Sequence, residues 1–427
     1  MSISTVRRRG VTGWLGLALA MVLVVAGCTG SNSPGPAAPA DLVWAVPQIE
    51  LKAASGIVGR WNGLRPDAPV RVEPLPESAD DQHQLLSTEL NAKLPRFDIL
   101  TTDVVWTGEF AANGWLADLE DKRKNITKES LGAPLQSAIW NDKLWAAPFT
   151  SGAGFLYYRK DLVGGTAPTT WDELIRSVDT YRQSGGTIDA FVGQGAQYEG
   201  LVVNFLEFLW GAGGDLSGTG KGGTTIELSS APAVRALQFM RDEAGRDGVF
   251  APNFETMREN DALTAFADGN ALFMRNWPYA FDELRKRPAL IGNVGIARLP
   301  ALAGTNASTA IGGSNLGVNR FSERVAAAKE FVEFASTDLE VQVGLGKLSR
   351  PPTLASAYQD PALVAKPDMK LLGEILPTAH ARPPTPEWSA ISREIQQQVF
   401  PAYTGRRDVN EAVESIRSYL RLMAADS

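Results

Sequence analysis

The chain has 427 residues, 41 Lys+Arg against 48 Asp+Glu, and a formal net charge of −7. An acidic chain without large Lys/Arg clusters argues against nucleic acid and against an anionic membrane surface as partners. The densest basic run of the body, Lys122-Arg123-Lys124, has Glu120 and Asp121 beside it. One cysteine, Cys28, and two histidines, His83 and His380, leave no internal disulfide and too few ligands for a histidine-based zinc site, so no metal or cofactor is expected.

In chain order, Arg7-Arg8-Arg9 precede a mostly apolar run from Val11 to Ala26, and Ala26-Gly27 lead into Cys28. A charged start, a short apolar stretch and small residues before a cleavage point describe a secretory signal. A cysteine directly after Val25-Ala26-Gly27 is similar to the bacterial lipobox, in which the signal is cut off before a cysteine that receives lipid. An uncleaved anchor is the alternative, but the run falls short of the roughly 20 residues that span a bilayer. Residues 1–27 are therefore expected as signal peptide and 28–40 as lipidated cysteine plus a Ser/Gly/Pro/Ala-rich tether. The globule would begin at Asp41, on the outer face of the cytoplasmic membrane.

Leu42–Val46 reads as a buried strand and Leu51–Leu64 as a helix. Strand patterns follow at 70–73, 97–100, 143–148, 154–158, 271–274, 292–297 and 311–318. Helical patterns lie at 80–92, 104–113, 171–183, 198–210, 231–244, 259–268, 323–336 and 408–423. Thr170-x-x-Glu173 is a capping box for the helix at 171–183. Strands alternating with helices predict an α/β fold with parallel sheets and crossover connections. In such sheets ligands bind beyond the carboxyl ends of strands, where Asp103 and residues 276–279 fall. Eleven tryptophans in an exported chain point to carbohydrate, since sugar rings stack their C–H faces on flat aromatic surfaces.

Several segments follow one another in a recognisable order. They are Phe97-Asp98-Ile99-Leu100-Thr101-Thr102-Asp103, Lys143-Leu144-Trp145-Ala146-Ala147-Pro148, Leu156-Tyr157-Tyr158-Arg159 and Thr170-Trp171-Asp172-Glu173-Leu174. Gln197-Tyr198-Glu199-Gly200-Leu201, Met274-Arg275-Asn276-Trp277-Pro278-Tyr279-Ala280, Gly312-Gly313-Ser314-Asn315-Leu316 and Ala381-Arg382-Pro383 complete the series. With them the chain resembles extracellular solute-binding protein family 1, the sugar-binding lipoproteins of ABC importers, in the trehalose/maltose-binding branch. The resemblance implies a two-lobed periplasmic-binding-protein fold (type II-like) with a sugar in the interlobe cleft. Lobe one would be 41–149 plus 304–355, and lobe two 150–303 plus 356–427. It implies no catalytic machinery, a monomer, and delivery to a membrane permease driven by a cytoplasmic ATPase on other chains.

Residue by residue, Asp103 matches a carboxylate that accepts sugar hydroxyls, and it also suits a helix N-cap. Trp277 and Tyr279 match stacking aromatics. Arg382 matches a cleft arginine able to fork two hydroxyls. Gly312-Gly313 would let the backbone approach the sugar. The departures are Gln48 in place of a glutamate, His83 in place of an arginine, and Thr150 and Gly152 in place of a tyrosine and an aspartate. Ser314, followed by Asn315, stands in place of a tryptophan. These leave open trehalose, maltose, a differently linked disaccharide, a longer oligosaccharide or a monosaccharide. A secreted glycosidase would need two cleft carboxylates roughly 5–10 Å apart, and Asp103 with Glu199 is the pair available. A binding protein for a non-sugar solute is the third reading; few cleft cations disfavour a phosphorylated one.

Overall fold

The computed structural model describes residues 41–426 apart from 220–224, 303, 307 and 384. The expected signal, Cys28 and the tether lie outside the described residues. The body is two-lobed, each lobe a sheet flanked by helices. In the first sheet Val70–Pro74, Leu42–Val46 and Ile99–Asp103 pair in parallel. Ile311–Asn319 runs antiparallel beside Ile99–Asp103 and receives Ala146–Ala153 on its other edge. Every residue of Leu42–Val46 is buried, as a strand covered on both faces requires. Val43 and Ala45 feed one core; Leu42, Trp44 and Val46 feed the other. Trp44 lies edge-on to Phe149 and Phe331 at 5.6 and 5.2 Å, and its indole N–H donates to Thr101 Oγ1 at 2.8 Å. A buried indole needs such a partner, and here the bond ties two adjacent strands.

The second sheet has the order Val294–Ala297, Phe155–Arg159, Ala271–Asn276, Asp189–Val192. The parallel pattern expected from the sequence holds for the first three strands and for Ala271–Asn276 with Asp189–Val192. The strands that join the two sheets enter antiparallel. Ala146–Ala153 passes through the single residue Gly154 into Phe155–Arg159, and the chain returns between Val294–Ala297 and Ile311–Asn319. A strand arriving from another sheet has no crossover helix to turn it parallel.

The capping box forms as expected, with Glu173 N–H donating to Thr170 Oγ1 at 3.2 Å and Thr170 N–H to Glu173 Oε2 at 3.3 Å. Other boundaries move. The third strand extends through Asp103, and the next helix is only Thr107–Ala112. Asp103 Oδ1 accepts Val105 N–H at 3.1 Å, a side-chain turn that competes with helix start. Trp388–Tyr403 is a helix that the sequence patterns did not predict, with Pro401 in its last turn; it packs on the wholly buried helix Glu199–Gly211. Among the described residues no helix is long and apolar enough to cross a membrane.

Candidate functional site

Leu42–Val46, Ile99–Asp103 and Ala271–Asn276 all lead into one cavity of ≈ 180 Å³ between the two sheets, the position expected for a ligand of an open α/β sheet. Asp103 closes the third strand and Trp277 follows Ala271–Asn276 directly. After the first strand a 3-10 turn, Gln48–Glu50, rotates Glu50 into the cavity while Gln48 stays exposed. Glu50 Oε1 accepts from Ser314 Oγ at 2.9 Å and Thr150 Oγ1 at 3.2 Å. Burial pushes the Glu50 carboxyl above the ordinary carboxylate range, against the opposing Arg350 charge and those two hydroxyls. Arg350 is held over the Tyr279 ring, 4.6 Å from its centroid. Tyr198, at the start of Glu199–Gly211, donates to Glu259 Oε2 at 2.6 Å.

Arg382 sits at the inner end. Its Nη2 donates to Asp103 Oδ1 at 3.0 Å and its Nη1 to Glu199 Oε1 at 2.5 Å. Burial works against its charge, and Asp103 and Glu199 outweigh that, so its pKa is raised. Glu199 is pushed up by burial; Arg382 opposes this and Asp103 adds to it. Its oxygens are further engaged by Trp388 Nε1 at 3.0 Å and by Ser392 Oγ. Four buried polar atoms around the cavity have no hydrogen-bond partner: Glu50 Oε2, Ser151 Oγ, Tyr279 Oη and Arg382 Nε.

Ten of the residues singled out in the sequence line this cavity: Asp103, Thr150, Gly152, Glu199, Trp277, Tyr279, Gly312, Gly313, Ser314 and Arg382. Arg382 does so in a different way than expected, because its two terminal nitrogens are spent on carboxylates. The glycine pair also has a protein-side reason. The Trp277 ring lies against Gly312, and Gly313 has φ 129°, where a Cβ would fall 2.2 Å from the Thr150 carbonyl oxygen.

Three residues do not line the cavity. Gln48 is on the exposed face of its turn, and the carboxylate for that place is Glu50, two residues on. His83 is packed on Trp106 and Phe110, with Nε2 2.9 Å from Glu109 Oε2 and 3.0 Å from Ser389 Oγ. Asn315 points to the opposite side of its strand, donating to Thr107 Oγ1 at 3.1 Å and the Ser137 carbonyl at 3.1 Å. Neighbouring residues of a strand face opposite sides, which sends Ser314 in and Asn315 out; in the pairing with Ala146–Ala153 the register shifts at this point, and the extra residue is Phe149 of that strand.

Residues 46–339 match the model of the bacterial extracellular solute-binding protein family. The chain belongs to that family. A probable ABC transporter-binding protein of Deinococcus radiodurans is 30% identical to this solute-binding protein over 371 residues, 82% of this chain and 86% of that one. The galactooligosaccharide-binding protein of Bacillus subtilis is 24% identical, covering 74% of each. Among solved structures, maltose-bound T. maritima MalE3 superposes with a TM-score of 0.83 at 34% identity, over 90% of this chain and 99% of that one. The fold and family expected from the motifs are thus met.

Sequence reasoning missed several cavity residues of this solute-binding protein: Glu50, Ser151, Arg258, Glu259 and Arg350. Glu50 carried a signal, a lone acid just before an amphipathic helix near a strand end. Arg350 sits in a loop without periodicity, and nothing local marks it.

Proposed function

We propose that this solute-binding protein is the sugar-capturing lipoprotein of an ABC importer. It takes a disaccharide or short oligosaccharide of the trehalose/maltose type between its lobes and delivers it to a membrane permease driven by a cytoplasmic ATPase. The observation that carries the reading is the convergence of four buried, unpartnered polar atoms beside Trp277. Each orphan costs about 1–3 kcal/mol, and a sugar hydroxyl, both donor and acceptor, can satisfy either kind. Aromatic rings next to such groups suit a ring with apolar faces and a polar rim. The relatives named for maltose and galactooligosaccharide support the same class.

In this reading Glu50, Asp103, Ser151, Ser314 and Tyr279 meet hydroxyls, and Trp277 meets a sugar face. Arg382 presents Nε alone, its terminal nitrogens orienting Asp103 and Glu199. The same fork speaks against hydrolysis. Both oxygens of Glu199 are engaged, by Arg382, Trp388 and Ser392, and a general acid must be free to pass its proton. We place the lobes at 41–149 plus 304–355 and 150–303 plus 356–427, with Cys28 as lipid anchor on a monomer.

A thermal-shift screen against mono-, di- and trisaccharides, followed by calorimetry, tests the reading. A rise in melting temperature with a disaccharide is expected, and no shift across the panel would sink it. Release of monosaccharide during incubation would replace transport with hydrolysis. Cys28→Ala should release the protein from membranes; retention there would remove the anchor.

A further inference from the structure

Arg275 and Glu207 form an ion pair outside the polar rim of the cavity, with side-chain exposures of 2% and 5%. The fork is complete. Arg275 Nε donates to Glu207 Oε2 at 2.8 Å and Nη2 to Oε1 at 2.6 Å. Nη1 donates to Gln194 Oε1 at 3.0 Å, and Gln194 is itself held by Asn204 Nδ2 at 3.1 Å and bonds back to the Arg275 carbonyl at 3.2 Å. All three guanidinium nitrogens are thus engaged.

That plane faces Trp277, with Arg275 Cζ 4.0 Å from the ring centroid. The Trp277 backbone is pinned as well. Tyr157 Oη donates to its carbonyl at 2.7 Å, and its N–H donates to Asn276 Oδ1 at 2.8 Å. Backbone bonds alone leave the ring its side-chain rotations; a flat cation against the indole favours the rotamer that keeps this contact.

The other side of the pair touches both passages between the sheets. On the return passage, Thr309 Oγ1 lies 3.1 Å and Ala310 N 3.2 Å from Glu207 Oε1. On the outward passage a Cβ at Gly154 would fall 2.6 Å from Glu207 Oε1 and 2.7 Å from Arg275 Nη2. The charges therefore rest directly on the Gly154 backbone. One ion pair contacts the cavity tryptophan and both connections that the lobes share there.

A buried pair of this kind is a weak source of stability, because desolvating two charges offsets most of their attraction. What it supplies is direction. We propose that Arg275 and Glu207 are positioning residues that fix the Trp277 ring relative to two of the passages between lobes. Their importance for binding rests on the sugar reading above; the positioning itself does not.

The test replaces the pair with apolar residues of similar volume, Arg275→Met with Glu207→Leu, a change that buried ion pairs commonly tolerate. Both proteins carry 5-fluorotryptophan, and the Trp277 resonance is the one lost in Trp277→Phe. In the folded double variant the Trp277 line should broaden or split as the ring samples several rotamers, while the Trp44 and Trp61 lines stay as they were. An unchanged Trp277 line would overturn the proposal. If the double variant does not fold, Arg275→Lys, which keeps the charge and loses the planar fork, is measured with the same two outcomes. Calorimetry with maltose and trehalose reads the functional half. Affinity at least tenfold weaker in the double variant is expected, and an unchanged dissociation constant would break the link to binding. If neither these two nor any other sugar of the panel binds the unaltered protein, the sugar reading is at fault, and the fluorine spectrum still decides the positioning.

Discussion

On the side of the first sheet the cavity meets short polar groups, Glu50, Thr150, Ser151 and Ser314, whereas the side that follows Ala271–Asn276 presents the rings of Trp277 and Tyr279. The two walls are stiffened differently. The polar wall is held by strand pairing and by the Glu50 hydroxyl contacts, the aromatic wall by arginines against the rings. Hydrogen bonds are directional and read individual hydroxyls. Ring faces accept any apolar surface of suitable size. The polar wall is thus the one able to select among sugars, and the aromatic wall supplies contact area to all of them.

The largest effect should come from the residue that bridges acids at the inner end. Arg382→Met leaves Asp103 and Glu199 close together without a counter-charge, and loss of a partner from a buried pair costs about 3–5 kcal/mol. Chemical denaturation measures it; a loss below about 1 kcal/mol would show that the two acids do not depend on Arg382. Next, Trp277→Ala should weaken sugar binding at least tenfold, about 1.4 kcal/mol, by calorimetry, and for every sugar that binds. A loss confined to one sugar would give the aromatic wall a selective role and break the comparison. Ser151→Ala removes one neutral hydrogen bond, worth about 0.5–1.5 kcal/mol, and its cost should differ between sugars; equal losses across the panel would deny selectivity to the polar wall.

Glu50→Gln sharpens the polar wall through pH. The Glu50 pKa is raised above 4.5 in the folded protein, so ionising it opposes folding. The sugar-free variant should match the parent below pH 4.5 and become the more stable of the two as pH rises through the raised value. Melting temperatures at pH 4 and pH 8 decide it, and an equal difference at both would remove the burial effect. Smallest of all, Gln48→Ala and His83→Ala should leave the dissociation constant within about twofold, a change near 0.4 kcal/mol; a larger change would place either residue in the cleft.

Much of the fold was legible because strand ends and turn chemistry are local. Asp103 closes one strand and Trp277 directly follows another, which is why position alone marked them. Glu50 was displaced to Gln48 because a 3-10 turn changes which residue faces inward, and three residues of sequence do not show that turn. Arg382 looked like a hydroxyl-binding fork, yet its partners Asp103 and Glu199 lie 279 and 183 positions away, and side-chain pairing over that separation has no sequence pattern. The helix Trp388–Tyr403 escaped notice because Pro401 reads as a terminator, although it falls where the helix is already ending.

The shift of pairing between Ser314 and Asn315 divides one strand into two tenancies. Gly312, Gly313 and Ser314 touch the cavity, and residues after the shift, from Asn315 to Asn319, serve the interior of the sheet. Because Phe149, the extra residue on the neighbouring strand, absorbs the mismatch, the rim can change its chemistry without shifting the register of the part behind it. A lineage altering its diet can rewrite position 314 while the lobe's interior keeps its inheritance.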